Sequence, residues 1–96
     1  MRNYAVYILT NYDRTVFYIG VTGNLEARLA YHIYKVIPDS FTSRYNVNRL
    51  VYYEFFDYVN DAIAREKQLK NWRRQWKINL IKTINPEMTD LLTGEE

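Results

Sequence analysis

Residues 18–32, YIGVTGNLEARLAYH, decide the fold predicted for this chain. The stretch leaves an apolar β-strand, turns at Gly23 and enters a helix for which Asn24 is a favourable N-cap. Glycine weakens the interior of a strand and often marks a place where a ligand or another backbone comes close. Gly20 is therefore a candidate binding position.

The helix in this stretch carries a cation and the only histidine of the chain. Arg28 and His32 are one helical turn apart, so their side chains are neighbours. A protonated His32 would be repelled by Arg28, which favours a neutral imidazole able to accept a proton near pH 7. The alternative is a structural histidine, because His32 falls on the same side of the helix as Leu25 and Leu29. Both interpretations stay open on this pattern.

Three apolar segments predict the strands of a sheet. Residues 4–10 and 15–21 are rich in Tyr, Val, Ile and Phe and flank a turn-like segment at 11–14, which predicts a β-hairpin. Residues 37–48 are expected to form a loop. Residues 49–57 predict a third strand, and their apolar run suggests a central or well-covered position.

The hairpin sets the position of two tyrosines. If its turn is centred between Tyr12 and Asp13, Tyr7 opposes Tyr18 on one face of the sheet. Paired tyrosines are commonly a stabilising cross-strand contact and nothing more. The pair alone therefore does not indicate a function.

A long helix is predicted from Asp61, capped by Asn60, to about Thr83. Its apolar stripe comprises Ala62, Leu69, Trp72, Trp76 and Leu80. Glu66 falls beside this stripe, where a carboxylate needs an ion pair or a bound cation. Lys70, four residues later, offers an ordinary helical ion pair as the simpler explanation.

Length and composition indicate one globular domain, residues 1–93, with a frayed tail at 94–96. The chain has 96 residues, 48% of them hydrophobic and 25% charged. Without cysteine, disulfides and thiolate zinc sites are excluded. A signal peptide and a membrane span are not recognisable, so a cytoplasmic protein is expected.

The basic residues are concentrated in one segment, although the net charge is only +2. This cluster indicates either a solvated helix face or a phosphate-binding surface. Its members are Lys67, Lys70, Arg73, Arg74, Lys77 and Lys82.

Taken together, these residues resemble the GIY-YIG nuclease family, especially its small stand-alone bacterial members. The second signature triplet is intact at residues 18–20, and the first is degenerate at residues 5–7, AVY, although its tyrosine is kept. Residues 62–81 resemble the glutamate-bearing helix of the family. The ordered set that carries the resemblance is Tyr7, Tyr18, Arg28, His32, Glu66 and Asn85.

The resemblance implies an α+β fold, a three-stranded antiparallel sheet flanked by helices, and hydrolysis of a DNA phosphodiester. It also implies one divalent cation, magnesium with manganese possible, held by Glu66. By the same resemblance Arg28 contacts the scissile phosphate, Tyr7 and Tyr18 lie beside the attacking water, and His32 assists proton transfer. Asn85 supports the site by hydrogen bonding. The predicted substrate contacts are Gly20, Lys70, Arg73 and Lys77.

Several alternatives remain at this level. The general base is Tyr7 or His32, and a lysine that some relatives carry after the YIG glycine is replaced by Val21. The nucleic acid is expected to be DNA, with RNA not excluded, and a protein partner could supply specificity, for example in DNA repair or recombination. A catalytically silent nucleic-acid-binding module or a protein-interaction domain are the competing functions.

Overall fold

The computed structural model of the protein describes residues 3–33 and 45–94, apart from the side chains of residues 31–33. In these ranges the chain forms, in order, β1 (Tyr4–Thr10), β2 (Phe17–Thr22), α1 (Leu25–Ile33), β3 (Arg49–Phe56), α2 (Val59–Asn71) and α3 (Arg74–Ile84). The predicted α+β architecture, a three-stranded antiparallel sheet with helices, is confirmed. Among the helices of the described ranges, none is long and apolar enough to cross a membrane.

β1 is the central strand of the sheet, whose order is β2–β1–β3. Of the two positions predicted for β3, central or well covered, it has the second, because it lies at an edge and its first four residues are buried. The chain that follows α3 covers this edge: the Leu91 amide donates to the Leu50 carbonyl over 2.7 Å, and the Leu50 amide donates to Asp90 Oδ1 over 3.3 Å. Since these bonds occupy the edge groups of Leu50, β3 is well covered there without being central.

Each face of the sheet has its own apolar cluster, because successive side chains of a strand point to opposite faces. Val6 and Ile8 of β1 pack with residues of α2 and α3 on one face. Tyr7 and Leu9 pack with Leu29 of α1 on the other, which we call the α1 face. The sheet therefore separates α1 from α2 and α3.

The β1–β2 turn is one step longer than predicted. The Asn11 carbonyl accepts from the Arg14 amide over 3.1 Å, and Arg14 takes a left-handed φ of 58°. The side chain of Asn11 adds two bonds, because its Oδ1 accepts from the Thr15 and Val16 amides over 2.9 and 3.1 Å. These bonds move the centre of the turn by one residue and the strand register by two. Because the shift is even, every side chain keeps its predicted face.

The long helix predicted from Asp61 to about Thr83 is in fact two helices. Trp72 and Arg73 have extended backbones, with ψ of 150° and 152°. Arg74 then donates to the Thr15 and Arg14 carbonyls over 2.7 and 2.8 Å, which holds the start of α3 against the β1–β2 turn. The predicted stripe breaks at this point: Trp76 is 51% exposed and Ile81 is buried in its place.

The helix ends agree in part with the predicted caps. Asn24 Oδ1 accepts from the Ala27 amide over 3.1 Å, so Asn24 is confirmed as the N-cap of α1. Asn60 lies inside α2, and the N-cap position is occupied by Tyr58 without a side-chain bond, so that cap was wrong. The predicted loop at 37–48 and the tail at 94–96 fall largely outside the described residues.

Candidate active site

Tyr7 and Tyr18 meet on the α1 face, although they are not the directly opposed pair that the sequence predicted. Tyr7 opposes Gly20 and Tyr18 opposes Leu9. The two tyrosines are diagonal neighbours, with ring centroids 6.2 Å apart and ring planes inclined by 37°. The predicted contact is therefore present in a different register.

Gly20 makes room for the ring of Tyr7. A Cβ at position 20 would lie 2.9 Å from Cε1 of Tyr7 and would clash with its hydroxyl oxygen. Tyr7 is fully buried, so its ring has no solvent-filled space into which it could move. The role of Gly20 visible in the described structure is thus to let a side chain pack closely on the backbone, which differs from the two explanations considered from the sequence, a ligand or another backbone.

Arg28 contacts Tyr7 from α1. Tyr7 is hydrogen-bonded to both Tyr18 and Arg28. Burial raises the pKa of Tyr7 well above its ordinary value of 10, the neighbouring Tyr18 raises it further, and Arg28 only partly offsets both. A phenol with so high a pKa keeps its proton at pH 7, so in this arrangement Tyr7 is a hydrogen-bond donor and a poor general base.

His32, the other candidate base, lies in the helical segment of α1. Its side chain is outside the described residues, and its part in proton transfer stays a prediction.

Glu66 is carried by α2, which packs on the face opposite to α1. Its side chain is 16% exposed and forms an ion pair with Lys70, with Nζ 3.2 Å from Oε2. The helical ion pair considered from the sequence is thus present. Lys70 is 53% exposed, and an i,i+4 pair on a helix surface stabilises by only about 0.2–0.5 kcal/mol. Glu66 could therefore exchange Lys70 for a cation at little cost.

A cavity at the outer edge of β2 connects the two sides of the sheet. It has a volume of about 310 Å³ and is lined by Phe17, Tyr18, Ile19, Lys70 and Lys77. Tyr18 comes from the α1 face, while both lysines come from the helices on the other face. We call it the β2-edge cavity. It brings two of the predicted substrate contacts, Lys70 and Lys77, next to one of the predicted catalytic tyrosines.

The remaining predicted site residues lie elsewhere. Arg73 stacks on Trp76, with its guanidinium carbon 5.8 Å from the ring centroid, and does not line the β2-edge cavity. Asn85 is buried and its Nδ2 donates to the carbonyls of Val51 and Thr89 over 3.0 and 2.9 Å. Its visible role is to attach the segment after α3 to β3.

A polar network beside the predicted residues was missed. Arg65 donates to both carboxylate oxygens of Glu54, with Nη2 2.9 Å from Oε2. The Tyr52 hydroxyl donates to the same carboxylate. Burial, followed by the hydrogen bond to Glu54, raises the pKa of Tyr52 to about 12. The signal available in the sequence was Glu54 itself, a single carboxylate within the apolar run VYYEFF. Because Arg65 precedes Glu66, the network fixes α2 against β3 immediately beside the candidate metal ligand.

The carboxylates of the described residues do not form a complete magnesium site by themselves. No group of three or more His, Asp or Glu side chains that could hold a metal ion is found in residues 3–30 and 45–94. Magnesium is, however, commonly bound by one or two carboxylates together with substrate phosphates and water. Glu66 fits a cation that binds together with the substrate, and does not fit a metal site preformed by protein ligands.

Comparisons with known proteins identify the family of this chain. The family profile described as the GIY-YIG catalytic domain matches residues 3–79. A UPF0213 protein of Syntrophus aciditrophicus is 38% identical over 86 residues, which cover 90% of this chain and 95% of the relative. A UPF0213 protein of Staphylococcus haemolyticus is 37% identical over 85 residues, covering 84% of this chain and 96% of the relative. No solved structure gives a significant match.

Proposed function

This chain belongs to the GIY-YIG family, whose domain is of the nuclease type, and on that premise we propose that it is a magnesium-dependent endonuclease that hydrolyses DNA phosphodiester bonds. The observation that carries the proposal is the contact of Tyr7 with both Tyr18 and Arg28, beside a cavity that Tyr18 shares with Lys70. Selection of DNA by its structure or by a protein partner, as in repair or recombination, is part of the same proposal.

Arg28 is the proposed contact of the scissile phosphate. Its guanidinium carries a permanent charge and several donors suited to phosphate oxygens. In hydrolysis a water oxygen bonds to phosphorus while the bond from phosphorus to the leaving sugar oxygen breaks, and negative charge builds up on the phosphoryl oxygens. Loss of one donor that stabilises such charge typically costs about 2.7–4 kcal/mol, or roughly 100- to 1,000-fold in rate.

The two tyrosines are proposed to orient the attacking water. Tyr7 is buried and keeps its proton, so its hydroxyl would hold Tyr18 and Arg28 in place. Tyr18 lines the β2-edge cavity, and its hydroxyl would contact the water or a phosphate oxygen. The water's proton needs another acceptor. The raised pKa of Tyr7 favours His32 in that role, and a neutral imidazole is well matched to pH 7.

Glu66 is the proposed ligand of the cation. When bound there with substrate, magnesium would stabilise charge on the phosphoryl and leaving oxygens. Release of Lys70 from Glu66 would leave its ammonium group in the β2-edge cavity beside Lys77, where both could contact a flanking phosphate. The same ion pair also favours one competing function, a silent nucleic-acid-binding module, because it already neutralises Glu66.

Cleavage assays on single-stranded, duplex and branched DNA, with magnesium or manganese against a chelator, test the proposal. Glu66→Gln removes the charge with little change in shape, and it should abolish metal-dependent cleavage while DNA binding at low salt persists. Glu87→Gln is the matched control, because Glu87 is exposed on the segment after α3. Arg28→Ala should lower the rate by roughly 100-fold or more with an unchanged circular dichroism spectrum.

Two outcomes would contradict the proposal. Equal cleavage by the wild type and Glu66→Gln would remove Glu66 from the mechanism. DNA binding without cleavage of any of these substrates by the wild type would instead support the silent binding module.

A further inference from the structure

Two aromatic side chains are exposed on the α1 face of β3. Tyr53 is 39% exposed and Phe55 is 43% exposed, and their rings meet edge to face with centroids 5.4 Å apart. Leu50, on the same face near the start of the strand, is buried. The exposure is thus confined to the second half of β3, where two neighbouring aromatic residues face outward without contributing to the core.

The strand register places this aromatic pair next to the candidate active site. Tyr7 of the central strand has Gly20 as its partner on β2 and Tyr53 as its partner on β3. Directly opposed residues of an antiparallel pair have Cβ atoms about 4.5–5.5 Å apart and point to the same face. Tyr53 is therefore the immediate neighbour of the tyrosine that bonds Arg28.

A cavity of about 440 Å³ lies beside the pair, between β3, α1 and the segment after α3. Its apolar walls include Tyr53, Phe55, Leu25 and Leu92, and its polar lining includes Asn24 and Glu26. Small-ligand pockets typically have volumes of roughly 300–1,000 Å³ and combine aromatic walls with a few polar groups. The space suits a flat, polar-edged ring.

We propose that Tyr53 and Phe55 form a stacking platform for an unpaired nucleobase of the nucleic acid cut at the neighbouring site. The inference deepens the proposed nuclease function and rests on it. Because Tyr53 is the neighbour of Tyr7, which contacts Arg28, a DNA strand with a phosphate at Arg28 would extend an adjoining base toward Tyr53. A base in a duplex is already stacked on both faces, so the platform selects DNA that is single-stranded or distorted next to the scissile bond.

A nucleobase fits these observations better than a peptide does. Tyr53 lies opposite Tyr7, and Tyr7 contacts Arg28 of α1, so one residue separates the aromatic surface from a cationic side chain. Nonspecific single-strand binding proteins likewise combine cationic groups for the backbone with aromatic side chains for the bases. Asn24 and Glu26 add polar groups suited to the edge of a base. A docked protein would make no use of the connection to Arg28.

The test measures binding separately from cleavage. Fluorescence anisotropy in chelator would compare a single-stranded oligonucleotide with the duplex of the same sequence, for the wild type and for Tyr53→Ala/Phe55→Ala. We expect single-strand affinity to fall about 5- to 150-fold for each lost stacking contact, the equivalent of about 1–3 kcal/mol. Duplex affinity should change by less than about twofold, because it depends on phosphate contacts.

Three variants serve as controls. Tyr58→Ala removes an equally large aromatic side chain that is 71% exposed and does not line the cavity, and it should bind like the wild type. Tyr53→Phe keeps the ring and should also bind like the wild type. Tyr53→Leu/Phe55→Leu keeps apolar surface without rings and should lose affinity as the alanine double variant does. Thermal unfolding by circular dichroism verifies that each variant is folded.

The outcomes separate this inference from the proposed function. Cleavage by the wild type together with unchanged single-strand affinity in both double variants would overturn the stacking platform and leave the nuclease intact. Single-strand affinity that depends on Tyr53 and Phe55, without cleavage under any metal, would support the platform and overturn the nuclease. Failure of the wild type to bind either oligonucleotide would overturn both.

Discussion

The packing of Tyr7 against Gly20 predicts that alanine at position 20 disrupts the fold and the candidate site together. The new Cβ would lie 2.9 Å from Tyr7 Cε1 and closer to the end of the ring, and the ring is fully buried. Inserting a carbon atom into a well-packed interior typically costs about 1–3 kcal/mol. For a domain of this size, 1 kcal/mol corresponds to a decrease in Tm of about 4–8 °C.

Thermal unfolding followed by circular dichroism measures the effect, with Gly23→Ala as the control. A Cβ at Gly23 would meet Tyr4 Cε1 at 3.7 Å, an ordinary van der Waals contact, so Tm should change little. In a Tyr7→Leu background the ring is gone, and the cost of Gly20→Ala should nearly vanish, giving a coupling free energy of about 1–3 kcal/mol, equal to the cost in the wild type. The same decrease in Tm from Gly20→Ala in both backgrounds would refute the packing explanation.

Three further predictions concern residues around the site. Arg65→Ala should lower the free energy of unfolding in urea by about 1–3 kcal/mol, because it leaves Glu54 partly buried without its cation, and an unchanged urea midpoint would contradict this. The pKa of Tyr52 is raised to about 12, so its contribution to stability is complete below pH 10 and is lost between about pH 10 and 12. Tyr52→Phe should therefore reduce the alkaline loss of stability, and an identical pH profile would disprove it. Lys70→Ala should make the slope of log affinity for DNA against log salt shallower by about 0.7–0.9, as expected for one lost phosphate contact; an unchanged slope would exclude that contact.

Much of the fold could be predicted because local sequence and tertiary structure agree. The strand at residues 4–10 is observed with the predicted ends, since its β-branched and aromatic residues suit a strand that is buried from Ala5 onward. Asn24 caps α1 as expected from its side chain. The faces of Tyr7 and Tyr18 were also predicted correctly, because side-chain alternation survives an even error in register.

The predictions were wrong where contacts between distant parts of the chain determine the local structure. The register depends on bonds of the Asn11 side chain inside the turn, which the turn composition alone does not reveal. The break between α2 and α3 has no glycine or proline, and it coincides with bonds of Arg74 to a turn about 60 positions earlier in the chain. Likewise, the raised pKa of Tyr7 follows from burial between a sheet and a helix that the hairpin pattern could not specify.

The attachment of the segment after α3 to β3 has a practical consequence for the limits of the autonomous folding unit. The family match ends at residue 79, yet Ile81 and Met88 belong to the main apolar cluster and Asn85 bonds to the backbone of β3. A truncated protein that ends at residue 79 would lose these groups and leave β3 as an exposed edge strand that could pair with other chains. Expression tags and fusion partners should therefore be attached after Gly94, outside the segment that covers the edge of β3.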